Sequence, residues 1–207
     1  MNSLPCDIVL LPSDELTDYA VEVSKSLQKY DANFTLGVGK CYPHMSLYMF
    51  QLNVDDIPRI EATLKRIAKD FPAYAATATT YTMDEGHAAG SVFPQYEITP
   101  KLRKLQEDVI TAVNPIRCGM REKDKAKMVD ATGVKLQNLQ QFGYPSIGEL
   151  FHAHITLTRL KGYRPEVLQT LPDIQSFSGT FNRIGLFEMG DFGTCIRPLA
   201  IVDLPIQ

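Results

Sequence analysis

One short pattern occurs twice in this chain and constrains it more than any other feature. It reads His44-Met45-Ser46-Leu47 and again His154-Ile155-Thr156-Leu157, with the two histidines 110 positions apart. Each copy sits in a stretch that reads as a β-strand, where side chains at i and i+2 share a face and lie about 6.6 Å apart. Each copy therefore displays an imidazole beside a hydroxyl. By strict alternation His44, Ser46, Tyr48 and Phe50 fall on one face of the first strand, and the apolar Met45, Leu47 and Met49 on the other. In the second strand His152, His154, Thr156 and Thr158 share a face, opposed by Ile155 and Leu157. The apolar faces are expected to pack on helices, leaving the mixed faces to line a cleft.

The sequence around each copy repeats in outline. Residues 6 to 12 predict an opening strand ending at Pro12; Ser13 is placed to N-cap a helix with Asp14 and Glu15 in its first turn and Leu16, Ala20, Val23, Leu27 and Tyr30 as its apolar stripe. The first His strand follows. A second helix starts at Asp55-Asp56 with Pro58 in its first turn, and two strands are predicted near 74 to 83 and 91 to 98. From Thr99-Pro100 the series recurs: a helix, the second His strand over about 151 to 160, a short helix opened by Pro165, and closing strands near 177 to 189 and 194 to 204. The halves are thus 1–98 and 99–207 of one domain spanning 1–207. They differ in one segment, 114 to 149, which carries six basic residues (Arg117, Arg121, Lys123, Lys125, Lys127, Lys135) and suits one or two helices broken near Gly133. This insertion is expected to form a lid or wall over the cleft and to set substrate choice.

With 207 residues, 44% of them hydrophobic, the chain can bury a substantial core. Its apolar stretches are strand-length, too short to span a bilayer. The N-terminal residues lack a basic stretch followed by an apolar one, so no secretory signal is expected and the location is read as cytoplasmic. Four scattered cysteines with no C-x-x-C pair argue against a disulfide framework or structural zinc, and are expected as reduced thiols. A net charge of -3 offers no general attraction for a long polynucleotide. A monomer acting on a small substrate is expected, with no cofactor.

Two facing strands of this kind would gather two imidazoles and two hydroxyls around one pocket. That set suits cleavage of a phosphodiester without a metal: one histidine as base, the other as acid, and the hydroxyls on the phosphate oxygens. The paired H-x-[ST] triplets, with the tail Thr158-Arg159, resemble the two-histidine (2H) phosphoesterase superfamily, which includes bacterial 2′-5′ RNA ligase-like proteins and cyclic nucleotide phosphodiesterases. The resemblance implies an α+β fold: a bilobal, pseudo-twofold duplication in which two antiparallel sheets line a central cleft with helices outside. It also implies catalytic His44 and His154, phosphate-binding Ser46 and Thr156, and a nucleotide or RNA-end substrate such as a 2′,3′-cyclic phosphate. Which histidine is the acid stays open.

Tyr48 and Thr158 lie one step further along the predicted cleft faces and are candidate substrate contacts, though packing explains them as well. Arg159 resembles the basic residue at this point in 2′-5′ RNA ligase-like sequences. Strict alternation puts it on the back face, and it reaches the cleft only if the strand bulges or ends there. His87 reads as a solvated hairpin-tip residue. Two other readings stand beside the leading one: a zinc-dependent hydrolase using His152 and His154 with His44 or His87 as a third ligand, and a nucleotide-binding module without turnover.

Overall fold

The computed structural model describes residues 2–206. It is an α+β fold whose strands form two antiparallel sheets. In the larger sheet β1 (Ser3–Pro12) pairs on one side with β2 (Met45–Asn53) and on the other with β7 (Gly179–Met189), and β7 also pairs with β3 (Tyr74–Ala76) and β8 (Cys195–Asp203). The smaller sheet runs β4 (Ala78–Met83), β5 (Ser91–Tyr96), β6 (Thr158–Arg159). The strand expected near 74 to 83 is therefore two strands, which part at Thr77 and join different sheets. Both sheets draw strands from both sequence halves.

The helices form where capping and periodicity place them. Ser13 caps α1 (Asp14–Ser26) by accepting from the Leu16 N–H, and Thr99 caps α3 (Pro100–Val113) by accepting from that of Leu102. Between them α2 (Ile57–Asp70) buries Ile60, Leu64 and Ala68. These apolar stripes close on one core that includes Ile8, Leu10, Phe50, Phe177 and Phe181, all inaccessible to solvent. Burial of each such side chain contributes about 1.5–3 kcal/mol. No helix among the described residues is long and apolar enough to cross a membrane.

The segment 114 to 149 forms α4 (Glu122–Lys127) and α5 (Gly133–Phe142). Its Arg121 reaches across to Met189 Sδ on β7. Gly119 and Cys118 exchange backbone hydrogen bonds with Gln51, so the segment covers the outer edge of β2. Four of its six cations are held inside it: Arg121 and Lys127 by Asp124, Lys125 by Glu122, and Arg117 by Asn114 and the Gln141 carbonyl.

Candidate active site

Both His strands slip by one residue just after their triplets. On β2, Ser46 stands opposite Val9, but Tyr48 stands opposite Ile8, so Leu47 is the extra residue of a bulge. The slip turns Tyr48 and Phe50 to the helix side with Ile8 and Cys6, leaving His44, Ser46 and Met49 on the other face. In the second strand His154 pairs with Gln95, whereas Thr158 pairs with Val92 and Arg159 with Ser91, again one residue out of register. Pro94 contributes here, since it has no N–H to give to the ladder. Consequently only Thr158–Arg159 and two isolated bridges remain of the strand expected over 151 to 160.

A bulge leaves a carbonyl without its ladder partner, and burial makes that costly. Both are satisfied by a buried side chain from a helix of the other sequence half. Gln106 of α3 donates from Nε2 to the Leu47 carbonyl at 3.1 Å, and Ser24 of α1 donates from Oγ to the Leu157 carbonyl at 2.6 Å.

These slips correct two expectations, for Tyr48 and Thr158, and supply the bulge on which the reading of Arg159 depended. Tyr48 is fully buried; its hydroxyl lies 2.9 Å from Asn114 Oδ1 and 2.7 Å from the Phe142 carbonyl, away from the cleft face. Thr158 is also buried and donates to the Phe34 carbonyl. Arg159, assigned to the back by simple alternation, shares the His154 face. It donates to the Ala89 and His87 carbonyls of the β4–β5 hairpin tip, and its guanidinium lies 5.6 Å from the Phe192 ring. The hairpin end comes this close because Gly90 (φ +86) has no Cβ; one there would sit 2.4 Å from the Leu160 carbonyl oxygen.

The two histidines are held alike. His44 Nδ1 lies 2.7 Å from the Tyr42 carbonyl, and His154 Nδ1 lies 2.8 Å from the His152 carbonyl, two residues back in each case. A carbonyl can only accept, so each Nδ1 carries the hydrogen and each Nε2 is left for chemistry. Burial lowers both imidazole pKa values. His44, 8% exposed, is brought down to about 4, with the His154 charge adding to the effect; half-buried His154 falls below its ordinary 6.5. His44 and Thr156, from opposite triplets, line one small pocket of about 10 Å³ with Phe34, Tyr42, Phe192 and Thr194. A much larger cavity of about 590 Å³ lies between α2 and α3, walled by surface groups such as Arg66, Asp70, Lys101 and Lys104. No triplet residue lines it, so size does not locate the chemistry.

Three residues that sequence reasoning missed belong to this site. Phe192 holds a left-handed conformation (φ +58), costing about 1–3 kcal/mol. It is 43% exposed and stacks on Phe34 at the pocket mouth, with ring centroids 6.3 Å apart. Nothing in the local sequence marks either phenylalanine. Asp7 had a signal: it is the one charged residue in the run Cys6-Asp7-Ile8-Val9-Leu10-Leu11. It lies beneath Ser46, with Oδ2 2.6 Å from Ser46 Oγ and 3.9 Å from His44 Nε2.

The zinc arrangement does not form. His152 and His87 are exposed, and among the described residues the donor atoms that cluster are those of Asp7, His44 and Cys195, within 4.8 Å of one another. Burial shifts all three toward their uncharged forms, raising the Asp7 pKa, holding that of Cys195 well above its ordinary value and lowering that of His44. All four cysteines are free thiols.

The fold matches that of solved phosphoesterases. TT0787 of Thermus thermophilus superposes with a TM-score of 0.61 at 17% identity, covering 99% of this chain and 100% of that one. LigT of E. coli, complexed with 3′-AMP, gives 0.61 at 13% identity over 98% and 99% of the two chains. A protein described as a phosphoesterase gives 0.54 at 14% identity over 98% and 99%. The fold is thus that of the 2H phosphoesterases. By sequence the chain belongs to the family described as proteins of unknown function, DUF1045, whose model matches residues 50–176 and so takes in the second triplet but not the first. No curated protein matches it.

Proposed function

We propose that this protein is a metal-independent phosphodiesterase that opens a small nucleotide or RNA-end phosphodiester, with a 2′,3′-cyclic phosphate as the leading substrate. The observation that carries the reading is the shared imidazole geometry: two histidines from opposite parts of the chain, each with Nδ1 fixed by the carbonyl two residues back and Nε2 free. The different environments divide the labour. His44 is neutral above about pH 4 and takes the proton of the attacking water or ribose hydroxyl. His154, half-buried, is the acid. A bound phosphate's negative charge favours its protonated form, and it delivers that proton to the departing oxygen. Ser46 and Thr156 each donate to a nonbridging oxygen, where charge builds in the transition state. Arg159 adds a fixed positive charge on the same face. LigT has been crystallised with 3′-AMP, NADP+ and ATP, which favours a nucleotide-sized substrate here. The Phe34–Phe192 pair offers such a ligand a stacking surface.

The pocket, with room for about one water, must widen to admit a phosphate, and the partly exposed Phe192 forms part of its wall. The test is a panel of 2′,3′-cyclic nucleotides, 3′,5′-cyclic nucleotides, 2′-5′ oligonucleotides and ADP-ribose cyclic phosphate, with products resolved by phosphorus NMR. Opening of a 2′,3′-cyclic ring that survives exhaustive chelation is the expected result. Saturable binding without turnover of any member would make the protein a nucleotide-binding module instead.

A further inference from the structure

Asp7 is inaccessible to solvent, and its Oδ1 has no hydrogen-bond partner. An ionised carboxylate in that position would be left with an orphaned oxygen in a dry setting, which is strongly unfavourable without a cation to pair it. No cation among the described residues is free to do so. Arg121, the nearest guanidinium in its field, is bound to the buried Asp124 at 2.6 Å, and His44 stands off at 3.9 Å. The remaining groups around Asp7 are Cys6 beside it on β1, Cys195 on β8 and the Tyr144 hydroxyl, each held protonated by burial, together with the Tyr48 backbone N–H on β2. Glu188 of β7 stands opposite Cys6 and is paired with Arg197.

The protonation of Asp7 decides what Ser46 can do. Their oxygens are 2.6 Å apart, and only one hydrogen fits between them. If the carboxyl were ionised, Ser46 would give it its only hydrogen and turn lone pairs toward the phosphate. We propose that Asp7 is a positioning residue that works as a neutral carboxylic acid: its O–H donates to Ser46 Oγ, which frees the Ser46 hydrogen for a phosphate oxygen. The inference rests on the phosphate-binding role proposed for Ser46. Burial, which outweighs the Ser46 hydrogen bond, the Arg121 charge and the Tyr48 backbone N–H, raises the Asp7 pKa to about 8, so the neutral form is favoured at pH 7 and is lost above that range.

The test uses the full chain and two readouts that need no turnover. In infrared difference spectra of the parent against Asp7→Asn, the carbonyl stretch of a protonated carboxyl should be present at pH 7 in the parent only, and should vanish as the pH passes about 8. Sulfate, a tetrahedral anion that does not titrate in this range, is the probe for Ser46. Its affinity for the parent should drop about tenfold across the same interval, equivalent to one lost charge-assisted hydrogen bond. For Asp7→Asn, whose amide does not titrate and can donate from its N–H at every pH, the drop should be absent, and Ser46→Ala should remove the difference between the two. Absence of the carboxyl band at pH 7, or the same sulfate profile in parent and Asp7→Asn, overturns the proposal. Neither readout depends on phosphodiester cleavage, so an inactive panel with positive infrared and sulfate results would sink the enzymatic reading and leave Asp7's role standing.

Discussion

The two His strands carry the same devices in different settings. At positions 110 apart, each has a histidine tied to the carbonyl two residues back, a hydroxyl two residues on, and a bulge leucine whose carbonyl is taken by a buried helix side chain. Beyond the bulge each turns one residue inward (Tyr48, Thr158) and the next outward (Met49, Arg159). The difference lies in what surrounds them. The first strand is fully paired with β1 and has a buried acid beneath its serine. The second lies against the Pro94-bearing β5, is more open, and carries an arginine where the first has a methionine. In the mechanism we propose, duplicated geometry supplies two equivalent imidazoles, and unequal surroundings make one of them the base and the other the acid.

Removing either histidine tests the equivalence and should have the largest effect. His44→Ala and His154→Ala should each lower kcat by about 10²- to 10⁴-fold, with melting close to that of the parent. A variant that melts normally and keeps most of its activity would break the comparison. The division of roles is read from the pH dependence of kcat/KM. The rate should fall as the pH drops through about 4, where His44 protonates and the base is lost. It should fall again as the pH rises past the His154 pKa, which burial sets below 6.5, because the acid is then lost. The optimum therefore belongs on the acid side of neutrality; an optimum above pH 7 would refute the assignment of roles.

Arg159→Met makes the second strand like the first. Loss of a charge-assisted contact to phosphate should cost about 1.5–3 kcal/mol in kcat/KM. An unchanged value would mean that Arg159 only pins the hairpin tip. The smallest effects are expected at the bulges. Ser24→Ala and Gln106→Leu each leave a buried carbonyl unsatisfied and should destabilise the fold by about 1–3 kcal/mol, measured by urea denaturation. If only one of them does so, the two bulges are not held by equivalent means.

The sequence by itself located the three long helices and the candidate site side chains. Periodicity of 3.6 located α1, α2 and α3, and Ser13 and Thr99 marked two helix starts because a cap is satisfied within a few residues of itself. The repeated triplets picked out His44, Ser46, His154 and Thr156 from the alternation of a strand. Only the tertiary structure decided which residues follow them into the cleft. A period of two holds only while pairing stays in register, and a one-residue slip inverts every later side chain, so Tyr48 and Thr158 turned inward and Arg159 outward. The slips are stabilised by Ser24 and Gln106, 133 and 59 residues away from the carbonyls they satisfy. Asp7 was visible as a charge in an apolar strand. What it touches depended on β1 lying beside β2 in one register, and long-range pairing of that kind leaves no mark in the spacing of residues along a single strand.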